Sequence, residues 1–457
     1  MNCLHVLPQL RKLERKYDRR LAVVGVHSPK FTTEHDTESL HAAIQRLNVG
    51  HPVINDRDFA VWQAYTVRAW PTLMFVDPRG KVIAKHEGEI PYEAADQLIA
   101  EMLAEFEADG LIDTRPIAGA YGDHSAEAEP TPLRFPGKVL ADAVSGRLFI
   151  SDSGHNRIVV SQLDGSVEQI VGSGQEGFAD GSAASATFYQ PQGLALDGET
   201  LYVADTENHA IRSIDLATWQ VTTVAGTGEQ RMRDSSGGPA LSTPLSSPWD
   251  LVVLDGVLYI AMAGVHQIWS LHLGGSPGDG TVRPHTGNGQ EALVDGPLAA
   301  SSMNQPSGIT TDGTYLYVAD SEASAIRRID PRPGGQITTI IGEGLFVFGD
   351  QDGVGAPNVR LQHPIGISWL DGTLLIADTY NHKIKRLDPL TAACQTWVGS
   401  GAVGHQDGPA LEARLSEPCG LTAAAGRVFV ADTNNHAIRV ASRVDGGITT
   451  LELHSLY

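Results

Sequence analysis

Residues 201–215 read LYVADTENHAIRSID: an apolar run ending in Ala-Asp, a polar turn, then a second apolar run. Short apolar runs separated by Asp, Asn and Gly form the pattern of a hairpin in a sheet. The stretch recurs. LLIADTYNHKIKRLD (374–388) and VFVADTNNHAIRV (428–440) repeat it closely, while LFISDSGHNRIVV (148–160), LYIAMAGVHQIWS (258–270) and LYVADSEASAIRRID (316–330) repeat it with changes. Each copy follows a Pro-x-Gly-like start, at Pro136, Pro191, Pro248, Pro306, Pro364 and Pro418, spaced 54 to 58 residues apart. Each is followed by a further strand such as VTTVAG (221–226) or ITTIIG (337–342). A period of this length marks a repeat architecture. Four short strands per unit, joined by Gly and Asp turns, make one blade of a β-propeller. Six units predict an all-β six-bladed β-propeller over 133–457.

Upstream the pattern changes. LAVVGV (21–26) reads as a buried strand, ESLHAAIQRL (38–47) as a helix and PVIND (52–56) as a short strand. TLMFVD (72–77) and KVIAKHEG (81–88) read as strands, and PYEAADQLIAEMLAEFEA (91–108) as a long amphipathic helix. The opening CLHVLP reads as a helix already under way. An α/β domain over 1–108 is expected, followed by a linker over 109–132, where GAYGDHSAEAEPTP is rich in Pro, Ala, Gly and acid.

Lys and Arg number 33 against 54 Asp and Glu, a net charge of −21. Such a surface repels phosphate backbones and anionic lipid, so neither nucleic acid nor membrane is predicted as a partner. The three cysteines, Cys3, Cys394 and Cys419, are too few for a disulfide-stapled secreted scaffold. With no signal-like h-region and no run of 18 apolar residues, a cytoplasmic location is expected. Cys394 and Cys419 read as packing residues.

DTENHAIR (205–212), DTYNHKIK (378–385) and DTNNHAIR (432–439) resemble the signature of the NHL repeat. The repeat-to-repeat recurrence of these Asp, Asn and His residues assigns them to the turns, satisfying backbone N–H groups and packing on the next turn. A second recurring element links the blades: GFADGSAASATF (177–188), VDGPLAASSM (294–303), DQDGVGAPNVRL (350–361) and HQDGPALEARL (405–415). Its Asp-Gly pairs suit left-handed turns. A calcium reading of these acidic loops is weak, since none alternates its acids as a calcium loop does.

VRAWPTLMFVDPRG (67–80) resembles the loop of thioredoxin-like proteins in which a cis-proline, here Pro71, precedes a central strand and faces the active-site disulfide. CLHVLP has the spacing of that family from the second cysteine of Cys-x-x-Cys to the helix proline. The resemblance implies a thioredoxin-like domain that is truncated at its N-terminus. It gives Cys3 the role of the resolving thiol and assigns substrate contact to Trp70, Pro71 and Thr72. The strand leading into Cys-x-x-Cys would run between LAVVGV and TLMFVD, so both are expected to carry an unpaired edge. A longer natural product is the expectation that follows.

The order of the two domains resembles the NHL-repeat-containing protein 2-like family. That resemblance implies a thiol-disulfide redox-type domain coupled to a propeller that captures a protein partner or client. No cofactor and no metal are expected. Whether the chain is an enzyme, and its oligomeric state, stay open. Blade 3 departs most from its siblings, and its Trp249, His266 and Trp269 are candidate binding anchors, with core packing as the alternative. Two further readings stand beside this one: a non-enzymatic scaffold, and a metal-dependent hydrolase or lyase in the propeller using histidines such as His266, His363, His382 and His405.

Overall fold

The computed structural model describes residues 2–115, 131–231, 236–275, 278 and 280–454. The chain divides into two compact units, Met1–Pro130 and Thr131–Tyr457. Most of the linker expected at 109–132 lies outside the described residues.

The first unit contains α1 (Asn2–Tyr17, with Pro8 inside it), β1 (Gly25–His27), α2 (Thr37–Arg46), β2 (Val53–Asn55), α3 (Ala60–Ala64), β3 (Thr72–Val76), β4 (Val82–Glu87) and α4 (Tyr92–Ala108). In α4 the buried residues are Ala95, Ile99, Leu103 and Phe106. That i, i+4, i+8, i+11 spacing is one face of a helix. It packs with Leu13 and Tyr17 of α1. Polar contacts fix the same helix: Tyr17 donates to Asp96 at 2.7 Å, and His5 Nδ1 lies 2.7 Å from Glu89.

β1 pairs in parallel with β2, and β3 pairs antiparallel with β4. Among the described residues these are two separate ribbons, not one sheet, because no strand joins β1 to β3. The buried strand expected at 21–26 is correspondingly shorter and more open: Val24 and Val26 are 50% and 43% exposed.

The second unit is a six-bladed β-propeller. Blade 2 gives the pattern, with antiparallel strands Pro191–Asp197, Thr200–Asp205, Ala210–Asp215 and Gln220–Ala225 from the axis outward. The other innermost strands are Val139–Asp142, Pro248–Leu254, Pro306–Thr311, Gly366–Leu370 and Pro418–Ala424. There is no single core. Six apolar clusters lie one at each blade junction. The two-residue strand period explains this: along Leu148-Phe149-Ile150 the outer two face blade 6 and Phe149 faces blade 2. Each fully buried side chain of this size stabilises by roughly 1.5–3 kcal/mol.

Candidate functional site

The repeated turns hold the residues that a catalytic reading would recruit. In every blade the second strand runs into a single helical turn that ends on a left-handed residue: Asn156, His209, His266, Ser324, His382 or His436, with φ between 49° and 55°. The side chain of each accepts a hydrogen bond from the main chain of the next blade. His209 Nδ1 accepts from Ser247 N at 3.1 Å, His266 Nδ1 from Gln305 N at 3.2 Å and His382 Nδ1 from Glu417 N at 3.1 Å. Asn156 and Ser324 do the same for Gln190 and His363, and His436 closes the ring onto Phe135 at 3.0 Å. A hydroxyl adds a second joint. Ser153, Thr206, Ser321, Thr379 and Thr433 each donate to the carbonyl of the proline that starts the next blade.

Behind the turns of blades 2, 4, 5 and 6 lies a buried ion pair. Asp205 and Arg212 are both fully buried, 2.8 Å apart, and Arg212 also reaches Asp180 at 2.7 Å. Asp320, Arg327 and Asp295 repeat the arrangement, as do Asp432, Arg439 and Asp407. In blade 5 Lys385 takes the place of the guanidinium between Asp378, Asp350 and Asp352. Burial pushes Asp205 and Asp378 up to about 6, against the pull of Arg212 and Lys385. The acidic linking loops thus supply the outer carboxylate of each pair, which is what the recurring Asp-Gly element does; its acids face a cation of the chain itself. Among the described residues no group of three His, Cys, Asp or Glu side chains is arranged to hold a metal.

Blade 3 replaces the whole assembly. Met262 stands at the Asp position, Trp269 at the Arg position and Ala263 at the hydroxyl position. Ser246 N, whose counterparts bond the buried aspartate, meets Met262 Sδ at 3.4 Å. Trp269 is completely buried and donates to Gln267 at 2.9 Å. The core alternative therefore describes Trp269, and His266 is a blade joint. Trp249 is only partly buried, and it sits beside the axis one residue after Pro248.

At the axis the third residue of each repeat start is Lys138, Gly193, Asp250, Gly308, Gly366 or Gly420. A Cβ on Gly193 would lie 2.4 Å from Asp250 Cα, and one on Gly366 2.4 Å from Cys419 O. Only glycine fits there. The two exceptions meet: Lys138 Nζ donates to Asp250 Oδ2 at 3.0 Å and to Ser307 O and Ile365 O, both at 2.8 Å. Asp250 also accepts from the Leu251 and Ile309 amides. Burial raises the Asp250 carboxyl, and Lys138 opposes the shift. This plug forms part of the lining of a cavity of about 350 Å³, with Leu140, Ala195 and Val252 on blades 1 to 3 and Thr310, Ser368 and Thr422 on blades 4 to 6. Sequence reasoning missed the plug, although the signal was present in the two charges that break a row of four glycines.

In the first unit Cys3 is exposed and in no disulfide, in the first turn of α1. The Trp70–Pro71 peptide is cis. Trp70 is 36% exposed, packs on Trp62 at 4.4 Å and donates Nε1–H to Ser28 O at 2.9 Å. Thr72 donates to Ala69 O at 2.7 Å.

These turns define the class: the chain is a six-bladed NHL-repeat β-propeller protein, and the NHL repeat family matches residues 188–212. It is 39% identical over 472 residues to NHL repeat-containing protein 2 of Bos taurus, covering 96% of this chain and 64% of that protein. It is a homologue of NHL repeat-containing protein 2. It is also 44% identical over 473 residues to Protein SUPPRESSOR OF QUENCHING 1, chloroplastic, of Arabidopsis thaliana, covering 99% of this chain and 44% of that protein. With Protein DipZ of Mycobacterium bovis it shares 27% identity over 138 residues, 30% of this chain and 20% of that protein. The chain spans less than two thirds of the length of each of these relatives. Among the described residues no helix is long and apolar enough to cross a membrane.

Proposed function

We propose that the propeller is a binding platform that captures a protein client for a thioredoxin-like, thiol-disulfide unit at residues 1–108, with 109–132 as the linker to the propeller at 133–457. One observation carries the platform half. The repeated histidines are engaged in joining blades and the repeated aspartates in buried ion pairs, so the groups a propeller enzyme would use are taken up and what the propeller offers is surface. Trp249, partly buried beside the axis, is the anchor we assign to client contact. The three cysteines, none of them in a disulfide, fit a reducing compartment such as the cytoplasm.

The redox half rests on Cys3 and on the loop Trp70-Pro71-Thr72. Acting here as the attacking thiol and not as the resolving thiol that the family resemblance gives it, the Cys3 thiolate attacks a client disulfide, forming a mixed disulfide and releasing the other client sulfur as a thiolate. A small thiol then attacks the client sulfur of the mixed disulfide, expelling the Cys3 thiolate and leaving the client joined to the small thiol; a second equivalent of that thiol releases the client sulfur as a thiolate and leaves as the small-molecule disulfide. Intact-mass analysis of the purified chain with a disulfide-bonded peptide tests this half. A mixed disulfide that vanishes in Cys3→Ser supports it, and no adduct on the wild type removes it. Cross-linking through the propeller in the Cys3→Ser chain tests the platform half separately: contacts that Trp249→Ala abolishes support it, and contacts indifferent to Trp249 overturn that anchor.

A further inference from the structure

We propose that residues Leu451–His454 are a clasp that locks the propeller at the junction of blades 6 and 1, and that the ring opens at this junction when the clasp is released. Five junctions have a covalent tether, since the chain runs from the outermost strand of one blade to the innermost strand of the next. The sixth has none. Blade 1 is built only from strands between Val139 and Val171, and blade 6 only from strands between Pro418 and Thr450. Among the described residues no strand crosses from one to the other. The joints described above are present there too, with His436 on Phe135 and Thr433 on the Pro136 carbonyl. Without a chain connection, however, separating the two blades carries no loop-closure constraint, and that constraint is what holds the other pairs at high local concentration.

The segment after the last strand supplies a substitute. Leu451 N donates to Ile438 O at 2.8 Å in blade 6, and His454 N then donates to Gly165 O at 2.9 Å in blade 1. Val167 N donates back to His454 O at 3.2 Å, and Ser166 and His454 form a parallel bridge. Leu451 and Leu453 pack on the apolar cluster shared by the two blades, beside Val167 and Ile170. The seat is shaped for this segment: Gly165 has φ of 94°, and a Cβ on it would lie 1.9 Å from Glu452 O.

The outer edges of the other blades show what the clasp replaces. In blades 2 to 5 a two-residue strand from the preceding linking loop caps the outermost strand, as Gly181–Ser182 does for Gln220–Ala225. In blade 6 Gly408 bridges Ile448. In blade 1 it is His454 that meets the outer hairpin. An uncapped outer strand is a ready template for pairing with another chain, so release of the clasp both opens the seam and bares an edge.

Hydrogen exchange on the whole chain tests this. In Gly165→Val and in a chain ending at Thr450, amides of Arg157–Gln162 and Ala437–Ser442 should lose protection by about tenfold or more, while Val257–Met262 and Leu316–Asp320 stay within about twofold. A disulfide between Ser166→Cys and His454→Cys should slow exchange at the same blade 1 and blade 6 amides. Loss of protection spread evenly over all blades overturns the proposal, and so does a staple that leaves the seam unchanged. The stapled protein keeps the test decisive if the shortened chain does not fold.

Discussion

Lys138 Nζ lies 3.0 Å from Asp250 Oδ2 at the propeller axis, and these two residues hold the only non-glycine positions in a ring of six. The lysine comes from blade 1 and its three donors reach blades 3, 4 and 5. Both side chains are nearly buried, at 6% and 11% exposure. Removing one partner of such a pair leaves a buried charge uncompensated, which costs about 3–5 kcal/mol. Lys138→Ala is therefore expected to destabilise the propeller by that amount in denaturant unfolding. Lys138→Gly combined with Asp250→Gly restores six glycines and should lose clearly less than the single change. Additive losses in the double-mutant cycle would show that the pair is not coupled.

Blade 3 is a natural control for the buried ion pairs. It holds Met262 and Trp269 where blade 2 holds Asp205 and Arg212, and it keeps the same strand register. Arg212→Met alone strands a fully buried carboxylate and should destabilise by about 3–5 kcal/mol. Replacing both members, Asp205→Met with Arg212→Trp, transplants the solution of blade 3 and should recover much of that loss. Urea midpoints at constant m-value decide the comparison.

How much of this was legible in the sequence follows from which interactions are local. The propeller was, because each blade repeats one period-2 pattern and one turn: LYVADTENHAIRSID already contains the hairpin, the joint histidine and the buried Asp–Arg pair. The bearing of His209 on Ser247 was legible only as a turn packing on its neighbour; its donor lies 38 residues away. The Lys138–Asp250 contact spans 112 residues and depends on ring closure, which no local pattern encodes. Blade 3 differs from its siblings in sequence and its Trp269 is core; large apolar residues that replace a buried ion pair leave the same signature in sequence as a binding anchor. In the first unit the short helix Ala60–Ala64 was missed for want of a periodic stretch. The sheet expected there was read from strands whose neighbours the sequence cannot show.

The seam should carry a pH dependence through His436. Burial holds its imidazole below the ordinary value, with Arg134 adding to the shift. A proton therefore binds the unfolded chain more readily than the folded one. The joint's stability is complete above the unfolded value of about 6.5 and is lost as pH falls through the lowered folded value. Protonation at Nδ1 would also set two donors against each other, because that atom accepts from Phe135 N. Asn156 shows that an amide oxygen serves the same joint. His436→Asn should consequently flatten the fall in Tm between about pH 7 and about pH 5 relative to wild type. The raised Asp205 and Asp378 contribute with the opposite sign, but both proteins contain them. Parallel Tm curves for the two proteins would remove His436 from the titration.

The three cysteines should separate cleanly by reactivity. Cys3 is exposed, whereas Cys394 is completely buried and its thiol is pushed up to about 12, mainly by burial. Cys419 is buried at the axis with Sγ 3.4 Å from Glu417 O. Thiolate is the reacting form, so burial and its raised thiol both protect Cys394, burial protects Cys419, and exposure favours Cys3. Iodoacetamide on the native protein should label Cys3 alone, and all three cysteines should be labelled only after unfolding. Because Cys394 and Cys419 lie in blades 5 and 6, their labelling in rising denaturant reports on the propeller alone. Early labelling of Cys419, ahead of Cys394, would mean that the axis beside blade 1 opens before the body of blade 5. Simultaneous labelling would mean that the two blades unfold as one unit.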